Sequence, residues 1–200
     1  MKTKGLKNSI NPSIKELERF YSFLNSRFKL QLPDELTVTI QSKGRMNAYG
    51  WFSGQRWVNG NGRVSEINLS AELLTENDPY KTMAHEVGHY YNYVNGIRDC
   101  SGNQYHNKRF KEVAERLLLE TSYNKKTGYS TTTPTEEFKK MLSEFKPQKD
   151  VFNLFRDMPK AKKQKTKMVK WVCPQCGLIV RSAKELNIMC LDCDAVFTRG

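Results

Sequence analysis

The 200-residue chain has few histidines, few cysteines before its last 28 residues and no long apolar run. Without a run of about 18 apolar residues the sequence excludes a transmembrane helix, and we expect no membrane partner. The segment MKTKGLKNSINPS is basic but has no apolar stretch, which argues against a signal peptide. We therefore expect a cytoplasmic protein, nucleoid-associated, or a nuclear one if the source is eukaryotic.

Acidic residues are scarce relative to basic ones. Lysine and arginine number 33 against 21 aspartates and glutamates, which gives a formal net charge of +12. This excess attracts polyanions, so DNA is an expected partner; a basic protein without a polyanionic partner is the alternative. Hydrophobic residues make up only 38% of the chain. That value favours one core plus a small module stabilised by a metal ion over a single large core.

Helical and strand periodicities alternate along the chain and predict an α+β fold. The predicted helices cover 13–28, 79–95, 104–120 and 131–146. The predicted strands cover 35–41, two short segments around Gly54, and 63–70. Ser13 is the expected cap of the first helix, and Gly96 follows the second. Thr133, Pro134 and Glu136 are typical of a helix start and are assigned to the last helix.

The segment KTMAHEVGHYYNYV contains two of the three histidines and has the pattern HExxH. At about 100° per residue, His85 and His89 share one side of a helix. Their imidazoles can then reach one zinc ion at about 2.0–2.1 Å. Glu86 is the expected general base, because it would take a proton from a water whose pKa zinc lowers to about 7. The alternative is a chance pattern on a surface helix.

A catalytic zinc site also needs a third protein ligand and an open position. The remaining histidine, His106, lies 17 residues after His89 at the start of a predicted helix. It is the predicted third ligand, although a surface histidine at a helix start is the alternative. Glu112 or Glu115 could replace it.

The segments HEVGH and HNKRFKEVA resemble the SprT-like family, which includes the Spartan proteases. His85, Glu86, His89, His106 and Phe110 match the family pattern; Asn107 stands where the family often has glycine. EINLSAELL resembles the family's strand and short helix before the active helix. The resemblance implies a zincin-like catalytic domain and a zinc-dependent metalloprotease, a hydrolase. Several members act on proteins bound or crosslinked to DNA, so DNA–protein crosslink repair is the expected role.

Four of the five cysteines form two CxxC pairs near the C-terminus, CPQCG and CLDC, with 13 residues between them. The predicted ligands are Cys173, Cys176, Cys190 and Cys193. Four thiolates close a tetrahedral zinc site with no open position, so this site would be structural. We therefore expect a zinc ribbon and two Zn²⁺ ions per chain, one catalytic and one structural. Cys100 is interpreted as an ordinary thiol.

Composition divides the chain into a metallopeptidase domain (1–146), a basic linker (147–169) and the four-cysteine zinc ribbon (170–200). The linker is rich in lysine and has a tryptophan shortly after it. The candidate nucleic-acid contacts are Lys160, Lys162, Lys163, Lys165, Lys167, Lys170 and Trp171. Lysines can contact phosphates, and Trp171 either stacks on an unpaired base or packs against its own ribbon.

The substrate contacts are less sharply defined by the sequence. A protein substrate is expected to extend along the strand near 64–69 and pair with it. Tyr49, Tyr91 and Tyr105 are the candidates for stabilising the oxyanion. The aromatic residues Tyr49, Trp51, Phe52 and Trp57 are interpreted as sheet packing, with a base-stacking or substrate-facing patch as the alternative. The chain is expected to be monomeric. The alternative function is a non-catalytic, zinc-containing nucleic-acid-binding adaptor.

Overall fold

A computed structural model of the chain describes residues 8–42, 48–157 and 168–200. The chain forms two compact units, residues 1–158 and 159–200. The described helices of the larger unit are α1 (Asn11–Arg27), α2 (Pro79–Val94), α3 (Lys108–Arg116) and α4 (Glu136–Phe145). Its described strands are β1 (Leu36–Gln41), β2 (Gly50–Asn59), β3 (Gly62–Ser70), β4 (Leu119–Asn124) and β5 (Gly128–Pro134). The predicted α+β class is confirmed. None of the described helices combines the length and apolarity that a membrane span requires.

The first three strands form one sheet with β3 in the centre. β1 runs parallel to β3, and β2 pairs with it antiparallel. The two predicted short segments around Gly54 are one strand, β2, with a register shift between Ser53 and Trp57. Gln55 has a positive φ of 52° at this irregularity. A bulge of this kind bends a strand without ending it, which explains why two strands were predicted.

The main core lies between α1, α2 and the sheet. α1 buries Leu17, Phe20 and Leu24 at helical spacing, and α2 buries Met83 and Val87. Each such side chain contributes about 1.5–3 kcal/mol by leaving water. This apolar packing fixes α2, and with it the HExxH histidines, without reference to any metal.

The ends of α1 and α2 differ from each other in how they are capped. The predicted cap Ser13 is not the cap of α1: the N-cap is Ile10, and the buried Ser13 hydroxyl donates to the Val151 carbonyl. In α2, the Asp78 carboxylate accepts from the backbone N–H of Tyr80 at 2.8 Å. Gly96 follows the helix at φ +68°, which confirms its predicted position.

The predicted helices over 104–120 and 131–146 are too long. α3 ends at Arg116, and residues 119–134 form the antiparallel hairpin of β4 and β5, with Glu120 opposite Thr133. The consecutive threonines 131–133 are β-branched and favour a strand once a partner strand is present. The cap of α4 is therefore Thr135, whose hydroxyl accepts from the Phe138 N–H at 3.1 Å, and not Thr133. The short helix expected within EINLSAELL, a segment that the structure describes throughout, is also absent, since residues 71–76 form turns and bends.

Residues 147–157, predicted as the start of the linker, pack on the larger unit. The Gln148 N–H donates to the Glu16 carboxylate at 2.9 Å. The Phe152 ring lies edge-on to Tyr80 with centroids 5.5 Å apart. The Arg156 N–H donates to the Ala71 carbonyl at 2.8 Å. These contacts make the segment part of the larger unit.

The smaller unit is a set of short antiparallel strands. They are β6 (Val169–Val172), β7 (Ile179–Ser182), β8 (Met189–Cys190), β9 (Ala195–Val196) and β10 (Thr198–Arg199). β6 pairs with both β7 and β10, and β8 pairs with β9. The buried side chains are Trp171, Cys173, Cys190, Ala195 and Phe197. The predicted contacts Lys160, Lys162, Lys163, Lys165 and Lys167 lie outside the described residues.

Candidate metal centres

Two helices bring the histidines of the larger unit together. A side chain at Gly88 would meet Val113 at 3.3 Å, so this glycine permits close packing of α2 on α3. Phe110 on α3 is fully buried, and its ring centroid lies 4.5 Å from His85, 4.5 Å from His89 and 4.6 Å from His106. The Phe110 ring therefore packs against all three imidazole rings.

The three histidines direct the same ring nitrogen to one point. The Nε2 atom of His106 lies 3.3 Å from Nε2 of His85 and 3.0 Å from Nε2 of His89. Ligands at about 2.0–2.1 Å from a tetrahedral ion are roughly 3.3–3.4 Å apart. The observed spacing fits a metal ion held by three imidazoles.

Each imidazole is oriented through its other nitrogen. His89 Nδ1 lies 2.9 Å from the Asp99 carboxylate, His85 Nδ1 lies 3.2 Å from the Thr132 hydroxyl, and His106 Nδ1 lies 2.9 Å from the Gln104 carbonyl. Donation to a carboxylate or carbonyl places the proton on Nδ1 and leaves the Nε2 lone pair for a metal. Sequence reasoning missed Asp99 and Thr132. Neither residue stands out in the sequence, because Asp99 lies in a polar loop and Thr132 lies in a segment that was predicted to be helical.

The backbone of His106 is held by the turn of the β4–β5 hairpin. Its N–H donates to the Thr127 carbonyl at 3.0 Å, and its carbonyl accepts from the Tyr129 N–H at 2.9 Å. Between these residues, Gly128 has φ +64°, and a Cβ there would lie 1.9 Å from the His106 carbonyl oxygen. Asn107 caps α3 by accepting from the Arg109 N–H at 2.8 Å. An asparagine at this position therefore supports the helix start next to His106.

The surroundings of His85 and His106 favour the neutral form of these two imidazoles. Burial, followed by the neighbouring His89 and His106, lowers the pKa of His85 well below its usual value. Burial and the nearby His89 lower the pKa of His106 to about 4. Neutral imidazole is the metal-binding form, so the two histidines are available as ligands at pH 7.

Glu86 lies beside the histidines at the edge of a cleft of about 580 Å³. Its side chain is buried, and one carboxylate oxygen would be only 3.2 Å from a Cβ at Gly50. The walls of the cleft come from α2, β2, β5 and the loop before His106. Its lining includes Tyr49, Gly50, Trp51, Phe52, Lys81, His85, Glu86, His89, Asp99, Cys100, His106 and Thr132.

Several alternatives drawn from the sequence are not supported by their positions. Glu112 pairs with Arg109 at 3.3 Å and Glu115 with Lys111 at 3.5 Å, both on the exposed side of α3. Neither belongs to the histidine cluster, so His106 is the third member. Of the tyrosines, Tyr49 lines the cleft. The Tyr91 hydroxyl instead accepts from Arg116 at 2.7 Å, and Tyr105 bonds to Tyr123.

The prediction that substrate pairs with the strand near 64–69 is wrong. That segment is β3, whose two edges are taken by β1 and β2. A central strand has no backbone donors and acceptors left for a further strand. Among the described strands, the sheet edge next to the cleft belongs to β2, which supplies Gly50, Trp51 and Phe52 to the cleft wall.

The cysteines of the smaller unit form the second candidate centre. All four Sγ atoms lie within 4.8 Å of one another, and those of Cys176 and Cys190 are 3.8 Å apart. A hydrogen bond from the Cys176 backbone N–H lowers the pKa of the Cys173 thiol to about 7. The neighbouring Cys176 side chain raises the pKa of Cys193 to about 12. Crowded sulfurs disfavour several thiolates at once unless a cation joins them.

Of the two alternatives for Trp171, packing against its own ribbon is confirmed, and the base-stacking contact is not supported. Trp171 is 7% exposed and packs in the buried cluster with Cys173, Ala195 and Phe197. A ring enclosed in this way has no free face for a nucleotide. Lys170 is exposed on the same strand, so among the described residues it remains a candidate phosphate contact.

The comparison with known proteins agrees with this geometry. Residues 17–133 match the SprT-like family. That segment includes Glu86 and all three histidines. No protein with curated annotation matches the chain significantly. Because the matched segment spans more than half of its length, the chain belongs to the SprT-like family.

Proposed function

We propose that the larger unit is a zinc-dependent metallopeptidase. The observation that carries the proposal is the convergence of three Nε2 atoms beside a buried glutamate in an open cleft. A structural site would surround the ion with four protein ligands. Among the described residues this cluster has three, which leaves room for water or substrate.

Zinc fits the donor set better than other common ions. Three neutral imidazoles and a tetrahedral spacing suit Zn²⁺, whereas Mg²⁺ and Ca²⁺ prefer oxygen donors. When bound, zinc supplies a Lewis acid that lowers the pKa of water and polarises a peptide carbonyl. Four cysteines in two CxxC pairs are likewise the donor set of a structural Zn²⁺ site.

The chain's own residues provide proton transfer and orientation. Glu86 would accept a proton from the attacking water and return it to the leaving amine. Asp99 and Thr132 hold the Nδ1 atoms of His89 and His85, so the imidazoles cannot rotate away from the ion. The buried position of Glu86 limits its hydration and keeps its carboxylate near the cleft.

The substrate would bind as an extended strand along the outer edge of β2. Backbone hydrogen bonds of this type give affinity without a strict requirement for side chains. β2 is suited to this role because it is an edge strand and its first residues line the cleft. The geometry thus supports a peptidase of broad sequence tolerance.

DNA-associated or DNA-crosslinked proteins are the proposed substrates. The support is the net charge of +12 and the lysines 160, 162, 163, 165, 167 and 170 ahead of the ribbon. Lysine contacts with phosphates make affinity fall steeply with salt, with a log–log slope of about −0.7 per contact on single strands. Changing these six lysines to glutamine in the full chain should flatten that slope. An unchanged slope in fluorescence anisotropy would remove the lysines from DNA binding.

Glu86→Gln tests the peptidase directly. The substitution keeps the shape and the metal but removes the base, so cleavage of a DNA-bound protein should fall about 10²–10⁴-fold. Glu112→Gln is the matched control, since Glu112 lies on the exposed side of α3. Zinc content, measured by elemental analysis, should be the same in both variants.

Three results would contradict the peptidase proposal. If Glu86→Gln cleaves within a few-fold of wild type, Glu86 is not the base. If the zinc-loaded wild type binds DNA but cleaves nothing, the adaptor function is the better description. Cleavage that persists after complete removal of zinc by 1,10-phenanthroline would also exclude the proposed chemistry.

A further inference from the structure

The β4–β5 hairpin and the loop before His106 carry three tyrosines that the proposed peptidase chemistry does not use. The Tyr123 and Tyr129 rings, on opposite strands, have centroids 5.3 Å apart. The Tyr105 side chain hydrogen-bonds to that of Tyr123. These three residues are called the tyrosine cluster below.

The cluster holds an aromatic ring in a fixed but open position. Tyr123 is 58% exposed, whereas Tyr105 and Tyr129, which contact it, are half-buried. The Tyr105 ring lies close over Gly128, since its Cε1 atom would be 3.1 Å from a Cβ placed there. An exposed ring that is already oriented loses little conformational freedom when a flat partner stacks on it.

Positive charge lies next to these rings. Lys125 and Lys126 form the turn between β4 and β5, and both are exposed. In the part of the chain that the structure describes, neither lysine has an ion-pair partner. Lys111 adds a further cation 5.5 Å from the Tyr129 ring centroid, although it also pairs with Glu115 at 3.5 Å. The two turn lysines are therefore the cations available to a ligand.

We propose that the tyrosine cluster, with Lys125 and Lys126, is a binding surface for single-stranded nucleic acid. Unpaired bases expose flat faces that stack on aromatic rings, and the adjoining phosphates pair with lysine. A duplex keeps its base faces inside the stack, so it could use only the lysines. An acidic peptide would likewise pair with the lysines but has no general use for the exposed ring.

The position of this surface links it to the histidine centre. Tyr105 precedes His106 in the chain, and Gly128, in the same hairpin, packs against the His106 carbonyl. A strand bound here would lie beside the cleft, so a protein attached to that strand would be near the catalytic residues. This consequence rests on the proposed peptidase function, whereas the binding itself does not.

The test compares two oligonucleotides of equal charge on the full-length, zinc-loaded protein. One is oligothymidylate of about 12 nucleotides, within the usual range of site sizes, and the other is an abasic strand of the same length. Fluorescence anisotropy should show about tenfold tighter binding of the strand with bases, since stacking on one ring accounts for about that factor. Tyr123→Leu should remove most of this preference, and Tyr123→Phe should keep it.

Substitution of Lys125 and Lys126 should change oligonucleotide binding in a different way from substitution of Tyr123. The double variant Lys125→Gln, Lys126→Gln should weaken binding of both oligonucleotides and flatten the salt dependence, because phosphate contacts carry no base information. The matched control is Lys139→Gln, Lys140→Gln, which removes the same charge from exposed positions on α4. It should leave affinity within a few-fold of wild type.

A second exposed aromatic residue serves as the control for stacking. Trp57 is 45% exposed on the β2–β3 hairpin, so Trp57→Leu removes a comparable ring elsewhere. The proposal is overturned if Trp57→Leu, rather than Tyr123→Leu, abolishes the preference for bases. It is also overturned if wild type binds both oligonucleotides equally. Because these assays measure binding without cleavage, an inactive peptidase would not affect their outcome.

Photo-crosslinking covers the case in which Tyr123→Leu does not fold. Wild-type protein is irradiated with an oligonucleotide containing iodouracil, and the attached peptides are identified by mass spectrometry. Crosslinks within 105–129 are expected. Crosslinks found solely in other parts of the chain would exclude this surface as the base-binding site.

Discussion

The histidine centre and the cysteine centre bring metal donors together in opposite ways. The histidines belong to a unit whose described part has 23 buried hydrophobic residues in its core, and their rings are oriented by protein groups at Nδ1. The ribbon buries five such residues, and two of them, Cys173 and Cys190, are themselves donors. In the larger unit, packing of the apolar core positions the metal donors. In the ribbon, metal binding by the cysteines would supply most of the folding free energy.

The two centres also differ in what surrounds the donors. The histidines open onto a cleft of about 580 Å³ with Glu86 at its edge. The cysteines occupy two short turns, the first closed by a bond from the Gly177 N–H to the Cys173 carbonyl at 3.0 Å. An open centre in a rigid frame suits chemistry, while a closed centre in a small frame suits stability. The predictions below test this contrast, from the largest expected effect to the smallest.

Complete removal of metal should unfold the ribbon and leave the larger unit folded. Structural zinc contributes about 10–16 kcal/mol of apparent folding free energy in small modules. Two of the five described buried residues of the ribbon are themselves donors, so apolar burial cannot take the place of the metal. Trp171 reports on the ribbon core, so its indole N–H signal in NMR should collapse to an unfolded position on chelation. Cys173→Ser should have the same effect with zinc present. A ribbon that stays ordered without metal would show that its folding does not depend on the metal.

Gly128→Ala should damage the histidine centre more than any other single change outside the ligands. The alanine would have to adopt φ +64° with its Cβ only 1.9 Å from the His106 carbonyl oxygen. The hairpin must shift, and His106 with it, so metal affinity should fall about 100-fold, the upper end of the range for supporting residues. Competition with a fluorescent zinc chelator measures this loss.

Gly60→Ala is the matched control for that experiment. Gly60 also lies in a hairpin turn, but no atom lies within 4 Å of a Cβ placed there. Its metal affinity and peptidase activity should equal those of wild type. If Gly128→Ala behaves in the same way, the hairpin does not position His106.

Glu16→Gln should destabilise the larger unit by about 2 kcal/mol, the usual cost of losing charge-assisted hydrogen bonds in a buried place. The Glu16 carboxylate accepts from Arg19 at 2.8 Å, Tyr80 at 2.8 Å and Gln148 at 2.9 Å, which joins three segments. The loss should be equal with and without zinc, because Arg19, Tyr80 and Gln148 belong to neither set of metal donors. Urea unfolding followed by helical circular dichroism measures it, with the exposed Glu18→Gln as control.

The stability lost in Glu16→Gln depends on pH in a direction set by the pKa of Glu16. Burial alone raises the pKa of Glu16, but hydrogen bonds from Arg19, Gln148 and Tyr80 outweigh it and lower the pKa below the ordinary value of 4.5. The stabilisation is therefore fully present above pH 4.5 and is lost as pH falls through the lowered pKa. The gap between wild type and Glu16→Gln should be constant near neutral pH and narrow below about pH 4.5. A gap that widens in acid would contradict this assignment.

Asp99→Asn should have the smallest effect, about a tenfold loss of metal affinity at the histidine centre. Asparagine keeps the shape but removes the negative charge that orients and polarises His89, whose Nδ1 lies 2.9 Å from the carboxylate. The exposed Asp157→Asn changes the net charge equally and serves as control. Affinity equal to wild type in Asp99→Asn would mean that the rigid frame alone orients the imidazole.

Features encoded within one short segment could be predicted from the sequence. The apolar spacing of α1 and α2 predicted both helices, and the glycine after α2 marked its end. The HExxH spacing placed His85 and His89 on one side of a helix, and the paired CxxC segments placed four sulfurs within reach of one another. In each case the relevant geometry is set by backbone periodicity over a few residues.

Features that depend on contacts between distant segments were decided by the tertiary structure. The sequence by itself left His106, Glu112 and Glu115 open as the third ligand, and packing of the hairpin turn against His106 brought that residue into the cluster. The sheet order put β3 in the centre, so the proposed substrate-binding edge is that of β2. Trp171 was enclosed by residues as distant in sequence as Phe197. Local periodicity says which side of an element is apolar, but the partner of that side depends on how all elements pack at once.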